Sequence, residues 1–76
     1  MGDFARRLRA MRRERGWTRY RLAKLSGLTG EGIRRLEGPA SDPKLSTLFK
    51  LAGAFGVSVT ELLANVRPGQ EEQRKK

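Results

Sequence analysis

Cysteine and histidine are both absent from the 76 residues of this chain. Without cysteine there is neither a disulfide framework nor a thiolate metal site. Without histidine the chain lacks the commonest general base, the commonest zinc ligand and the usual pH switch. The eight acidic residues are scattered along the chain and form no obvious catalytic pair. We therefore predict that the protein is not an enzyme and that it holds no metal and no other cofactor.

Long apolar runs are absent as well. No stretch approaches the roughly 20 apolar residues that a helix needs to span a bilayer. The opening segment, MGDFARRLRA, lacks the continuous apolar stretch of a signal peptide. We therefore expect a cytoplasmic protein that does not enter the membrane.

Positive charge is what the chain has in excess. Its 17 Lys and Arg residues outnumber eight Asp and Glu, which leaves a formal net charge of +9. Between Arg6 and Lys24 there are nine cations and a single acid, Glu14. Such an excess favours a polyanionic partner, because each cation that neutralises a phosphate releases a condensed counterion. Charge alone leaves open a nucleic acid, an anionic membrane surface or an ordinary basic surface without such a partner.

The apolar residues recur with helical spacing, and no stretch alternates as a strand would. The first predicted helix runs from about Phe4 to Arg15 after an N-cap at Asp3, and the second from about Arg19 to Leu25 after an N-cap at Thr18. The third runs from about residue 29 to Leu36 and the fourth from about Leu45 to Phe55. A short fifth helix begins at a capping box formed by Ser58 and Glu61. The fourth helix is expected to bury Leu45, Leu48, Ala52 and Phe55. The sequence thus predicts an all-α fold, a compact bundle of about five helices over residues 1–66, with a flexible charged tail at 67–76.

Residues 19–38, RYRLAKLSGLTGEGIRRLEG, have the pattern of a helix-turn-helix. Two helices in this motif cross closely at roughly 90–120°, so the crossing requires a small side chain, which Ala23 supplies. The turn requires a residue that tolerates a left-handed backbone, and Gly27 is that residue. The apolar anchors of the two helices are Leu22, Leu28, Ile33 and Leu36. The second helix is left with a polar outer face.

From about Phe4 to Leu63 the chain resembles the XRE/Cro-type helix-turn-helix regulators, a family of bacterial and phage repressors. The resemblance rests on LRAMRRERGWT, the motif above with its ending LEG, DPKLSTLFKLAGAFGV and SVTELL. It implies a lambda-repressor-like fold and sequence-specific binding of double-stranded DNA by a small transcriptional regulator, a repressor located on the nucleoid when bound. It also implies that the third helix, about residues 29–36, lies in the major groove as the recognition helix.

The outer face of the third helix carries the candidate base-reading residues. At about 100° per residue, Glu31, Arg34 and Arg35 lie opposite the buried side, flanked by Gly30. Arginine is the commonest reader of guanine, and glutamate accepts from cytosine N4. Gly30 stands where the family often has a base-reading Gln or Ser, so it contributes no side-chain contact. The alternative is a solvated face on which Glu31 pairs with Arg34 or Arg35.

Four residues are predicted to bind phosphates: Arg19, Arg21, Thr29 and Lys44. Arg19 lies at a helix N-terminus, where exposed amides also attract phosphate. Lys44 stands where a small capping side chain is expected, and a phosphate contact would explain it. The alternative for each cation is solvation without a partner.

Arg12 and Glu37 are predicted to form a structural ion pair. Arg12 lies beside the apolar stripe of the first helix, where an unpaired cation would be expensive. Glu37 closes the recognition helix, and the resemblance implies the same pairing. Trp17, after the glycine that ends the first helix, is expected to pack on the core and not to stack on nucleobases.

A homodimer on a pseudo-palindromic site is expected, since one recognition helix reads only a few base pairs. The resemblance points to the fifth helix, and its apolar residues cannot all face inward. The candidate dimer surface is Leu62, Leu63 and Val66. No small-molecule effector is evident.

Three other functions compete with DNA binding. The first is a protein-binding module, such as an antitoxin or coregulator. It is favoured by Gly30 and Gly32, because glycines leave the recognition helix with fewer side chains that could contact DNA. A membrane-surface role would need a basic helix with a broad apolar face. A small enzyme would need a nucleophile with an aligned base, which the sequence does not suggest.

Overall fold

The computed structural model describes residues 2–64 and residue 66. Their helices are α1 (Gly2–Glu14), α2 (Arg19–Ser26), α3 (Gly30–Leu36), α4 (Leu45–Phe55) and α5 (Val59–Leu62). The described residues contain no strand, so the prediction of an all-α bundle of about five helices is confirmed. None of the helices in this part of the chain is long and apolar enough to cross a membrane. The tail predicted at 67–76 lies outside the described residues.

Side-chain caps set the starts of α2 and α5. The Thr18 hydroxyl accepts a hydrogen bond from the Arg21 amide at 3.0 Å. Ser58 and Glu61 form the predicted capping box, in which the Ser58 hydroxyl accepts from the Glu61 amide and the Glu61 carboxylate accepts from the Ser58 amide. Each of these bonds satisfies an amide that the helix itself leaves without a partner.

The prediction that Asp3 caps the first helix is wrong. Helix α1 already includes Gly2, which places Asp3 in its first turn. There the carboxylate lies 3.3 Å from the Arg6 guanidinium. A negative charge in the first turn still stabilises the helix, because it interacts favourably with the positive end of the helix dipole.

The core lies where α1, α2, α3, α4 and α5 meet. Its buried cluster contains Phe4, Leu8, Met11, Leu22, Ala23, Ile33, Leu51, Ala52, Phe55 and Leu62. Every described helix contributes to this cluster, so the small fifth helix is held by packing and not by its own length.

Trp17 packs on the edge of this core. Its ring stacks on Phe55, with centroids 5.5 Å apart and planes inclined by 11°. The guanidinium carbon of Arg15 lies 4.8 Å from the Phe55 centroid and 5.7 Å from the Trp17 centroid. The indole therefore joins the turn after α1 to the end of α4.

The predicted buried face of α4 is wrong at one residue and incomplete at another. Leu45 is 64% exposed, whereas Leu51, which was not predicted, is fully buried. Each residue turns the helix by about 100°, so the core side is set by Leu51, Ala52 and Phe55. Leu45 lies on the other side, which it shares with Phe49.

Candidate DNA interface

The crossing of α2 and α3 is fixed by small residues and by backbone hydrogen bonds. Ala23 is 5% exposed and belongs to the core cluster. Gly27 has the left-handed conformation expected of the turn, with φ of 80°. The amides of Gly27 and Leu28 both donate to the Ala23 carbonyl, at 2.9 and 3.1 Å. The position of α3 is therefore set by the turn as well as by the burial of Ile33.

Glu37, which caps the C-terminal end of α3, anchors that end to α1. Its carboxylate accepts from Arg12 Nε at 2.6 Å and from Arg12 Nη2 at 3.1 Å. Arg12 Nη1 donates to the Trp17 carbonyl at 2.8 Å. The side chains of Arg12 and Glu37 are only 10% and 1% exposed. The structure thus brings together the two residues expected to form an ion pair and places them inside the protein.

Arg19 also reaches Glu37, a contact that the sequence did not suggest. Its Nε lies 3.2 Å from Glu37 Oε1, while its side chain stays 49% exposed. Arg9 Nη2 adds a hydrogen bond to the Glu37 carbonyl at 3.1 Å. Three arginines from two helices therefore converge on one residue. The spacing of Arg9 and Arg12, one helical turn apart, was a signal for Arg9; nothing local pointed to Arg19.

Burial and pairing act in opposite directions on Glu37. Burial raises the pKa of its carboxyl group, because desolvation penalises the charged form. The hydrogen bonds and charges of Arg12 and Arg19 outweigh burial and hold this pKa below its usual value. Glu37 is therefore an anion inside the protein at neutral pH.

The outer face of α3 is polar and paired. Glu31, Arg34 and Arg35 are 59%, 60% and 77% exposed. Glu31 accepts two hydrogen bonds from Arg34, at 2.5 and 3.1 Å, and lies 3.8 Å from Arg35 Nε. The Arg34 hydrogen bond and charge lower the pKa of Glu31. The pairing considered as the alternative for this face is thus present, and Arg35 is the least engaged of the three.

The candidate phosphate-binding residues lie around the starts of the helices. An open groove between α3 and the start of α4 is lined in part by Thr29, Arg35 and Lys44. The Thr29 hydroxyl accepts from the Gly32 amide at 2.9 Å and so caps α3. Lys44 precedes α4 and its side chain makes no capping hydrogen bond. Arg21 is exposed on α2 and does not line this groove.

The candidate dimer surface is corrected at Leu62. Leu62 is fully buried in the core cluster, because α5 presents it inward and Arg7 ties α5 to α1 through the Glu61 and Leu62 carbonyls, at 2.7 and 3.3 Å. Leu63 and Val66 are half-buried and pack against the core. The exposed large hydrophobic residues in the described part are instead Tyr20, Leu25, Leu45 and Phe49. The predicted buried face of the fourth helix left Phe49 out, but no role was predicted for this residue.

Comparison with known proteins finds the same motif. A helix-turn-helix family model matches residues 8–62. The chain is 35% identical over 68 residues to the HTH-type transcriptional regulator PuuR of Escherichia coli, a match that covers 90% of this chain and 37% of PuuR. It is 41% identical over 64 residues to the HTH-type transcriptional repressor RghR of Bacillus subtilis, covering 83% and 47%. It is 34% identical over 67 residues to the immunity repressor protein of Bacillus phage phi105, covering 88% and 46%.

The chain spans less than half the length of these three relatives. The family match runs from α1 to α5 and includes the crossing of α2 and α3. It therefore covers both the motif and the helices that support it. On this match the chain belongs to the helix-turn-helix family, among the XRE/Cro-type transcriptional regulators.

Proposed function

We propose that this chain binds double-stranded DNA sequence-specifically as a small transcriptional repressor, with α3 in the major groove. The observation that carries the proposal is the arrangement of α3. Its inner side is anchored by Ile33 and Glu37, while its outer side presents only polar residues. The major groove is wide enough to admit an α-helix, and the anchored inner side of α3 leaves its polar outer side to face the base edges. The names of two relatives, a transcriptional repressor and an immunity repressor, support repression.

Arg35 is the foremost base reader in this proposal. It is the most exposed residue of the outer face and is only loosely paired with Glu31. Arg34 donates two hydrogen bonds to Glu31, so it reads a base only if this pair opens or if Glu31 contacts a neighbouring cytosine. Gly30 has no side chain and allows the DNA to approach the backbone closely.

Arg19, Arg21, Thr29 and Lys44 position the protein on phosphates. Arg19 combines half exposure with a fixed direction, because Glu37 holds its Nε. Lys44 and Thr29 share the groove that Arg35 also lines, so base and phosphate contacts lie side by side. Phosphate contacts set register and orientation, whereas base contacts carry the specificity.

The functional unit in this proposal is a homodimer on a pseudo-palindromic site, in the cytoplasm. Two copies about 34 Å apart reach successive turns of the major groove and combine their affinities. Leu63 and Val66 are half-buried, so α5 offers a smaller apolar surface than the sequence suggested.

A titration of selected DNA tests the proposal. Sites are first selected from random duplex DNA, and binding of the best site is then measured at several salt concentrations against a shuffled duplex. If each subunit neutralises about three to five phosphates, a dimer has a log–log salt slope of roughly −5 to −9. The Arg13→Ala variant removes one exposed charge from α1 and serves as the matched control for the variants of the interface. Equal affinity for selected and shuffled DNA would contradict sequence-specific binding.

A protein-binding module is the second candidate function. The glycines of α3 favour it, because Gly30 and Gly32 leave the recognition helix with few side chains to read bases. If this candidate is correct, the selection from random DNA enriches no sequence.

A further inference from the structure

An apolar stripe runs along the solvent side of α4. Leu45 and Phe49 are 64% and 60% exposed, and Gly53 is exposed one turn further on. Residues four apart lie on the same side of a helix, so these three form one continuous row. We call this row the α4 stripe. Phe49 lies at its centre, with one residue of the row four positions before it and one four positions after it.

Nothing in the described part of the chain requires a glycine at position 53. Glycine inside a helix costs stability relative to alanine, and it is usually retained where a side chain would collide with something. A Cβ atom added at Gly53 would meet no atom within 4 Å. Its φ is not positive, so the backbone does not require glycine either. The missing side chain therefore leaves open space at this point of the α4 stripe, which a side chain of a second molecule could fill.

We propose that the α4 stripe docks on the α4 stripe of a second copy of this chain, with the two helices antiparallel about a two-fold axis at Phe49. In that arrangement Leu45 of each copy lies over Gly53 of the other, and the two Phe49 rings meet at the axis. The row is self-complementary, because a large residue and a gap lie at equal distances from its centre. A two-fold contact requires such self-complementarity, since both copies use the same surface.

The α4 stripe is too small to form a stable complex by itself, which favours a partner that something else already brings close. A Phe side chain buries about 150–250 Å², so the exposed parts of Phe49 and Leu45 from both copies amount to on the order of 500 Å². Stable complexes bury about 1,200–2,000 Å². So small a contact contributes most when something else already holds the two molecules together. DNA holds two copies in this way, and to that extent the inference rests on the proposed function.

The absence of cysteine allows a direct test that needs no DNA. The single cysteine of the Phe49→Cys variant lies on the proposed axis and faces its own counterpart, whereas the cysteine of Arg13→Cys lies exposed on α1. Under mild oxidation at high protein concentration, Phe49→Cys should form disulfide dimers several-fold faster than Arg13→Cys. Selected DNA should increase the difference. Equal rates for the two variants, with and without DNA, would overturn the proposal.

Gly53→Ala gives a second, independent test. The added methyl group would meet no atom of the described residues within 4 Å, so the melting temperature should rise. The same methyl group would displace Leu45 of the second copy, so cooperative binding to a two-half-site duplex should weaken while binding to a single half-site stays unchanged. A variant that is more stable and equally cooperative would contradict the proposed packing.

The double variant Leu45→Ser, Phe49→Ser removes the stripe itself. Because both residues are exposed, the fold should be retained, and circular dichroism checks this. We expect at least about a tenfold loss of affinity for the full site, equivalent to about 1.4 kcal/mol, with half-site affinity unchanged. An equal loss on full and half sites would place these residues in DNA binding and not between copies. If no DNA is bound at all, the proposed function fails. The cross-linking rates then still test whether the α4 stripes of two copies meet.

Discussion

Glu37 shows how a single buried carboxylate can organise a small domain. It receives hydrogen bonds from the side chains of Arg12 and Arg19, and Arg9 binds its carbonyl. A buried charge without such partners would be costly, so the residues act as a unit. The arrangement links α1, the start of α2 and the end of α3.

Glu37→Gln should destabilise the fold by about 3 kcal/mol or more, because two arginines lose their buried counter-charge. The folded-state pKa of Glu37 lies below its unfolded value, so its contribution to stability is present above the unfolded pKa of about 4.3. This contribution is lost as the pH falls through the folded pKa. Denaturant titrations near neutral pH and in acid should show the variant approaching wild-type stability in acid. A constant difference between the two proteins at all pH values would contradict the assignment.

The glycines of the recognition helix should respond differently to alanine. A Cβ at Gly30 would meet nothing within 4 Å, whereas a Cβ at Gly32 would lie 3.1 Å from the Thr29 hydroxyl that caps the helix. Gly30→Ala should therefore stabilise the fold by up to about 1 kcal/mol. Gly32→Ala should give a smaller gain or a loss, because the cap must shift. Thermal unfolding compares the two variants. An equal gain in stability for both would show that the Thr29 hydroxyl can shift away from the added methyl group at no cost.

Arg35 and Arg19 should have separable effects on DNA binding. Arg35→Ala should reduce the discrimination between selected and shuffled duplexes by about 1–3 kcal/mol, since a bidentate base contact is lost. Arg19→Ala should weaken both duplexes equally and reduce the salt slope by about 1. Titrations of both variants on both duplexes provide the comparison. If they lose affinity in the same pattern, the division between reading and positioning is wrong.

At the scale of the helices, the starts of α2, α3 and α5 could be predicted, whereas the contact of α2 with the end of α3 could not. Thr18, Thr29 and Ser58 cap their helices through residues three positions away, so the signal lies within the local sequence. The contact of Arg19 with Glu37 joins residues 18 positions apart and depends on the angle between α2 and α3. No local pattern encodes that angle to the accuracy of a hydrogen bond.

The face of α4 shows a second limit of sequence reasoning. Leu45, Leu48, Phe49 and Leu51 are all apolar, so periodicity is compatible with more than one buried side. Packing decides between them, and it buries Leu51 while leaving Phe49 exposed. Because Leu45 was expected to be buried, the apolar stripe that Leu45 forms with Phe49 was not predicted.

Replacement of Lys44 by serine should raise the stability of the fold and lower the affinity for DNA. It occupies the N-cap of α4 without a capping hydrogen bond. Lys44→Ser should stabilise the fold by about 0.5–1 kcal/mol, because the serine hydroxyl can accept a hydrogen bond from a backbone amide in the first turn of α4. The same variant should weaken DNA binding, because it removes a positive charge. Lys44→Ala is the matched control, with the same loss of charge and no cap. Melting temperatures and DNA titrations of the two variants check this, and equal stabilities would argue against the missing cap.

At the scale of the whole molecule, the candidate DNA contacts are confined to a few helices, although every described helix contributes to the core. The candidate DNA contacts come from α2, α3 and the residue before α4. Helix α5 supplies core residues, and α1 supplies core residues together with Arg7 and Arg12, which bind the carbonyls of α5 and the Glu37 carboxylate. The net charge of +9 indicated a polyanionic partner from the sequence alone. It could not indicate which cations are accessible to such a partner: Arg12 is buried against Glu37, whereas Arg35 is 77% exposed and only loosely paired.

The stacking of Trp17 on Phe55 also makes the protein its own fluorescent reporter. Trp17 is the only tryptophan, and Phe55 lies 38 positions along the chain at the end of α4, so the stack exists only when α1 and α4 are packed together. Its emission should shift to longer wavelength as this tertiary contact opens, whereas circular dichroism follows the helices. Coinciding transitions would identify a cooperative two-state domain. An earlier change in emission would show that the end of α4 separates from α1 while helices persist, without any label added to the protein.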